Sequence, residues 1–217
     1  MRQSIREFVE ICARTLPIKG PVYEFGSYQV PGQEELADLR DLFAGFEFIG
    51  TDMREGPGVD RVLDLHDIDL PDGVIGTAIS MDTLEHVEYP RKAVENLHRV
   101  TQAGGIVILS SQMRFRIHNY PSDYWRFTPE GFRSLLNPFE GKFVGHAGRE
   151  KFPHSVVGIG FKGPAPSLDA FLGEFEAWQG RWDSEDGRIK RPIPVRICRN
   201  LGKSAAKRWN RIFGRSE

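Results

Sequence analysis

Four short apolar runs crowd into about sixty residues, and each runs into an acid. Val22–Phe25 carries Glu24, residues 46–51 (FEFIGT) are closed by Asp52, residues 62–63 by Asp64, and residues 76–80 by Met81-Asp82. A short apolar run bounded by turn residues suits a strand buried in a parallel sheet. In an open α/β sheet, ligands gather beyond the carboxyl ends of the strands. One acid there reads as a loop or cap acid; four in register read as contacts to a ligand. A carboxylate offers two acceptor oxygens, which suits the paired hydroxyls of a ribose after the second strand and an adenine amino group after the third.

Between the runs the hydrophobic period becomes helical. Residues 33–43 follow the first strand and have Gly45 as a stop; residues 90–100 follow the fourth. Thr128-Pro129-Glu130 opens another helix, reaching about Leu136, with Thr as N-cap, Pro in the first turn and an acid at the positive end. Residues 106–109, IVIL, predict a strand covered on both faces, set off by a break at Gly104-Gly105. Residues 142–146 and 155–161 suit an antiparallel pair. Strands alternating with helices predict an α/β domain with a mostly parallel sheet. Residues 1–14 predict a helix whose Ile5, Phe8, Val9 and Cys12 share one face, a lid or flank on the domain. A short helix is expected over residues 168–178. The expected divisions are a flanking helix (1–20), the α/β domain (21–166) and a helical, basic extension (167–217).

The turn after the first strand, Tyr23-Glu24-Phe25-Gly26-Ser27-Tyr28-Gln29-Val30-Pro31-Gly32, has a glycine at each end of its loop. Glycine lets backbone approach a nucleotide closely, and the following helix would offer unpaired N–H groups. A nicotinamide dinucleotide is one reading of such a turn. The G-x-G-x-x-G pattern is absent, however, since Gly26 is followed by Ser27-Tyr28, which favours a nucleoside cofactor without a pyrophosphate.

The stretches Glu24-Phe25-Gly26…Gly32, Phe48-Ile49-Gly50-Thr51-Asp52, Ser80-Met81-Asp82-Thr83-Leu84-Glu85-His86-Val87 and Arg99-Val100-Thr101-Gln102-Ala103-Gly104-Gly105 together resemble the class I S-adenosylmethionine-dependent methyltransferases, most of all the small bacterial ones with a Methyltransferase-11 core. The resemblance covers roughly residues 22–161. It implies a Rossmann-like methyltransferase fold: a mostly parallel seven-stranded sheet with an antiparallel closing hairpin and helices on both faces. It implies S-adenosylmethionine as cofactor. Glu24 and Gly26, with Ser27 in the same turn, would border its methionine part. Asp52 would bind the ribose diol, Met53 would pack on the adenine side, Asp64 and Leu65 would flank the adenine, and Ser80 and Met81 would lie near the sulfonium. The family usually has glycine where this chain has Tyr28. A β-carbon there narrows the approach, so either the loop takes another path or cofactor binding is weakened, as in a non-catalytic binding protein.

His86, just past the fourth strand, is the candidate proton acceptor for methyl transfer, since neutral imidazole takes a proton near pH 7; the alternative is that it caps the Thr83–Glu85 turn. The polar–aromatic stretch 116–127 supplies His118, Tyr120, Tyr124 and Arg126 as candidate contacts to a small-molecule or glycan-linked acceptor, methylated at oxygen or nitrogen. His66, His98, His146 and His154 lack metal-ligand spacing, so no metal is expected.

Residues 188–215 hold ten Lys/Arg, and the only later acid is Glu217; the first 187 residues hold 19 basic and 29 acidic residues. The tail is thus a separate electrostatic object, whose apolar face at Ile197, Leu201, Ala205, Trp209 and Ile212 fits an anionic membrane surface better than nucleic acid. With two cysteines far apart and no apolar leader run, a reducing cytoplasm is the expected compartment, with the inner face of the membrane as a peripheral site.

Overall fold

In a computed structural model, described here for residues 1–32, 34–119 and 121–183, one seven-stranded sheet organises the chain. The strands are β1 (Val22–Phe25), β2 (Phe48–Asp52), β3 (Arg61–Val62), β4 (Ile75–Ser80), β5 (Thr101–Gln112), β6 (Gly141–Arg149) and β7 (Phe152–Phe161). They lie in the order β3-β2-β1-β4-β5-β7-β6. β1 pairs in parallel with β2 (Glu24↔Gly50) and β4 (Glu24↔Ile79), and β4 pairs in parallel with β5. β7 runs antiparallel between β5 and β6, so the expected closing hairpin is present. This is the class I methyltransferase variant of the Rossmann-like sheet. The order reverses between β1 and β4, and the carboxyl ends of the strands open a crevice there.

Period-2 alternation sends the central strands into two cores. Ile106 and Ile108 of β5 join Val157 and Ile159 of β7 on one face; Val107 and Leu109 join Val156 on the other. The first face is covered by α1 (Gln3–Thr15) and α5 (Asp169–Arg181), the second by α3 (Pro90–Val100) and α4 (Pro129–Leu135). α1 buries the predicted face of Ile5, Phe8, Val9 and Cys12. Phe8 meets Phe171 and Phe175 edge-on at 6.4 Å between ring centroids, and Trp178 at 5.6 Å. The Trp178 indole N–H donates to the Ser4 carbonyl at 2.7 Å. α4 starts as its sequence dictates, with the Thr128 hydroxyl accepting from the Gly131 N–H at 3.0 Å.

Two expectations fail. The helix expected over residues 33–43 is reduced to α2 (Glu34–Ala37) and a 3-10 turn (Arg40–Phe43), with residue 33 outside the described residues. Asp38 is the cause: its carboxylate accepts the Arg40 N–H at 3.0 Å, a bond that competes with the helical ladder. A four-residue helix brings no dipole to the crevice. Gly104-Gly105 also does not stop the chain before the fifth strand, because β5 already begins at Thr101. The basic tail lies outside the described residues. No helix among the described residues is long and apolar enough to cross a membrane.

Candidate functional site

A cavity of about 370 Å³ opens at the carboxyl ends of β1, β2 and β4. That volume falls in the usual small-ligand range of about 300–1,000 Å³. Glu24, Gly26, Ser27, Asp52, Met53, Asp64, Leu65 and Met81 all line it, and the sheet brings them together. Parallel pairing sets Glu24 beside Gly50, so Asp52 emerges just beyond it on the next strand.

The Gly26 turn is held from below: the N–H groups of Gly26 and Ser27 both donate to the Thr51 carbonyl, at 2.7 and 3.0 Å. Gly26 has φ +92, and a Cβ there would stand 2.1 Å from the Thr83 hydroxyl oxygen. Only glycine keeps this floor thin enough for β1 and the segment after β4 to meet. Tyr28 is drawn aside. Its ring lies under the Arg54 guanidinium, 4.5 Å from centroid to Cζ, and against Gly56, where a Cβ would come within 2.2 Å of it. The loop therefore takes its own path, pinned by the Gln29 N–H to the Pro57 carbonyl at 2.9 Å.

The acids differ in their surroundings. Glu24 is buried, and desolvation pushes its carboxyl up to about 8 against the pull of Arg40. Asp52, with its side chain 10% exposed, accepts from the Arg54 N–H at 3.0 Å and Nε–H at 3.2 Å. Asp64 is more open and holds His66, through the His66 backbone N–H at 2.8 Å and Nδ1 at 2.9 Å. Asp82 has φ +47, a left-handed conformation that aspartate tolerates better than most residues. Its carboxylate receives Arg2 of the α1 N-terminus at 3.3 and 3.4 Å. Met1 and Arg2 thereby form part of the cavity wall, a feature absent from the sequence motifs.

A second group sits beyond β4 and β5. His86 Nδ1 lies 2.6 Å from the Ser122 carbonyl. A carbonyl can only accept, so Nδ1 carries the proton and Nε2 carries the lone pair. His86 thus reaches across to the loop after β5 instead of capping its own turn, and burial lowers its pKa. His118 Nδ1 lies 3.0 Å from Asp123 Oδ2, which fixes the same tautomer. Asp123 is 2% exposed and clamped by Arg126 at 2.5 and 2.7 Å; this pairing holds its carboxyl well below the usual range. The two imidazoles meet edge-on at 4.7 Å. Beneath them Glu85 is wholly buried: Oε2 accepts from the Ser111 hydroxyl at 2.6 Å, and Oε1 has no hydrogen-bond partner among the described residues. Among the described residues, Glu85, His86 and His118 form one group with ligand-type atoms all within 4.8 Å of one another.

Several expected contacts lie elsewhere. Ser80 is fully buried and absent from the cavity lining, because alternation along β4 puts it on the same face as Ala78, over the core covered by α3 and α4. Tyr124 and Arg126 also do not line the cavity. Tyr124 is half exposed, and its backbone N–H donates to the Glu85 carbonyl at 2.8 Å; Arg126 serves Asp123. Tyr120 lies outside the described residues. Gln112, missed in the sequence, lines the cavity with a buried Oε1; neither it nor Ser27 Oγ has a hydrogen-bond partner among the described residues. Its position at the end of β5 was the available signal.

The residues present fit an adenosyl cofactor. Carboxylates close β1 and β2, a glycine floor would be filled by any Cβ, and two buried polar atoms on the wall have no partner among the described residues. Residues 45–109 match the family described as "Methyltransferase domain" (Methyltransf_11). No curated protein matches the chain by sequence. Among solved structures, the fold is similar to a SAM-dependent methyltransferase from Archaeoglobus fulgidus, with TM-score 0.53, 17% identity and coverage of 72% of this chain and 94% of that one. It is also similar to the YcgJ protein from Bacillus subtilis, with TM-score 0.51, 12% identity and coverage of 73% and 99%. At such identities the likeness is one of fold.

Proposed function

We propose that this chain, which belongs to the S-adenosylmethionine-dependent methyltransferases, methylates an oxygen or nitrogen of a small-molecule or glycan-linked acceptor. The cofactor, when bound, supplies a methyl group on a positively charged sulfonium, open to in-line displacement. The observation that carries the reading is the row of Glu24, Asp52 and Asp64 at the ends of neighbouring strands, facing one cavity.

In this reading Asp52 accepts from the ribose hydroxyls, with Arg54 holding its carboxylate in place. Met53, Asp64 and Leu65 border the adenine. Glu24, Gly26 and Ser27 border the methionine part, where a cationic ammonium would favour the ionised form of Glu24. Met81 lies toward the reacting end, and Ser80 supports it from within the sheet. His86 and His118 face the acceptor. Their tautomers, set by Ser122 and Asp123, direct Nε2 lone pairs to the work of orienting or deprotonating a hydroxyl or amine. Orientation is worth most, since holding a nucleophile in line can supply roughly 7–11 kcal/mol. The basic residues 188–215 would bring the acidic body to an anionic membrane surface, where a lipid- or glycan-linked acceptor is held.

The test is incubation of the chain with cofactor bearing a trideuteromethyl group and a cell extract, followed by mass spectrometry. A labelled O- or N-methyl product of low mass, or one released from glycan, is expected. Label found only on carbon, on nucleic acid or on protein would contradict the acceptor class.

A further inference from the structure

We propose that Glu85, His86 and His118 form a binding site for one divalent transition-metal ion of the zinc kind. Three independent observations meet there. One ligand-type atom from each of these residues lies within 4.8 Å of the others, although Glu85 and His86 come from the 3-10 turn Leu84–His86 and His118 from the loop after β5, more than thirty residues on. In both imidazoles Nδ1 is engaged as a donor, to the Ser122 carbonyl at 2.6 Å and to the Asp123 carboxylate at 3.0 Å. This is the support that metal-binding histidines need: it fixes the ring, places the lone pair on Nε2 and raises the basicity of the ligand. Asp123 is itself locked by Arg126 at 2.5 and 2.7 Å, so the support is rigid. Finally, Glu85 is wholly buried, and Oε1 has no hydrogen-bond partner among the described residues although Oε2 is satisfied by Ser111. A buried carboxylate oxygen without a donor is costly, and a cation beside it removes that cost.

The donor set selects the ion. Two imidazole nitrogens and one carboxylate oxygen suit zinc and its neighbours; magnesium and calcium prefer oxygen ligands throughout. Bonds of about 2.1 Å at tetrahedral angles set two ligands of one ion about 3.4 Å apart, so the side chains close by up to about 1.4 Å on binding. Three protein ligands leave a coordination position open. His86 and His118 line the cavity, so that position would face the acceptor. An ion there lowers the pKa of a bound hydroxyl, and so replaces a histidine as the means of activating the acceptor.

The inference rests on the side-chain group and is independent of the acceptor's identity. The test uses the full chain, stripped with a chelator, and titrates it with Zn(II) by calorimetry and with Co(II) by visible absorption. One ion per chain with a Kd at or below the micromolar range is expected, with a Co(II) spectrum typical of nitrogen–oxygen ligation. His118→Ala, and separately Glu85→Gln, should weaken Zn(II) binding at least tenfold. His118 is partly exposed, so its alanine variant should keep the fold; S-adenosylhomocysteine binding within threefold of the parent chain checks this, and His118→Gln repeats the test with a bulkier side chain. Absence of ion binding to the parent chain, or an affinity that neither His118 variant changes, would overturn the proposal. Failure of the parent chain to bind S-adenosylhomocysteine would instead count against the methyltransferase reading and leave the ion site standing.

Discussion

In the proposed reading, Asp52 is the residue on which cofactor recognition turns. It ends β2 and lines the cavity, its side chain is 10% exposed, and both donors from Arg54 go to Oδ1. A carboxylate holding a diol makes charge-assisted hydrogen bonds, each worth about 1.5–3 kcal/mol. Asp52→Ala should therefore weaken S-adenosylhomocysteine binding by roughly tenfold or more with the thermal midpoint little changed. Unaltered affinity in a calorimetric titration would show that the ribose assignment is wrong. Asp52 was legible because it follows an apolar strand. Asp123 was not: only the folded loop shows that it orients His118, since nothing in the run Ser122-Asp123-Tyr124 separates a buried, Arg-clamped acid from an exposed one.

At the scale of elements, the strands and the helices α3 and α4 were readable because local signals agree with tertiary ones. IVIL at β5 is apolar on both faces and is buried on both; Thr128-Pro129-Glu130 caps the helix that it predicts. The segment after β1 was misread because its helical composition is overruled by one side-chain bond, from Asp38 to the Arg40 N–H. The joining of His86, His118 and Glu85 was equally hidden, since spacing along a chain does not reveal which loops converge at a sheet edge. The pairing of α1 with α5 also spans nearly the whole described chain. Trp178 is fully buried among Phe8 and Phe175 and bonds Ser4. Trp178→Ala should cost about 3–5 kcal/mol, read as a lower urea midpoint. A loss below about 1 kcal/mol would mean that α5 contributes little to the fold.

Over the whole molecule, buried charge sets the response to pH. Burial raises the Glu24 carboxyl from its ordinary range to about 8. Between those values the native state holds a proton that the unfolded chain has released, so stability falls as pH rises through that window. Urea midpoints should drop from pH 5 to pH 9, and Glu24→Gln should reduce the slope, with Glu85, whose carboxyl burial also raises, supplying the remainder. A midpoint independent of pH in the parent chain would contradict the burial of Glu24. The charge division between body and tail predicts a second behaviour. The full chain should sediment with phosphatidylserine vesicles at low salt, and a chain lacking residues 188–217 should not. Equal sedimentation of both would remove the membrane role.

The central claim is that the cavity between β1, β2 and β4 holds S-adenosylmethionine, with a loop at Tyr28 that departs from the usual glycine pattern yet leaves the site open. Calorimetric titration with S-adenosylmethionine, S-adenosylhomocysteine and NAD tests it most directly. Both sulfur ligands should bind at one per chain, and NAD should give no heat of binding. Absence of binding by either sulfur ligand at about millimolar concentration, or saturable binding of NAD alone, would contradict the account.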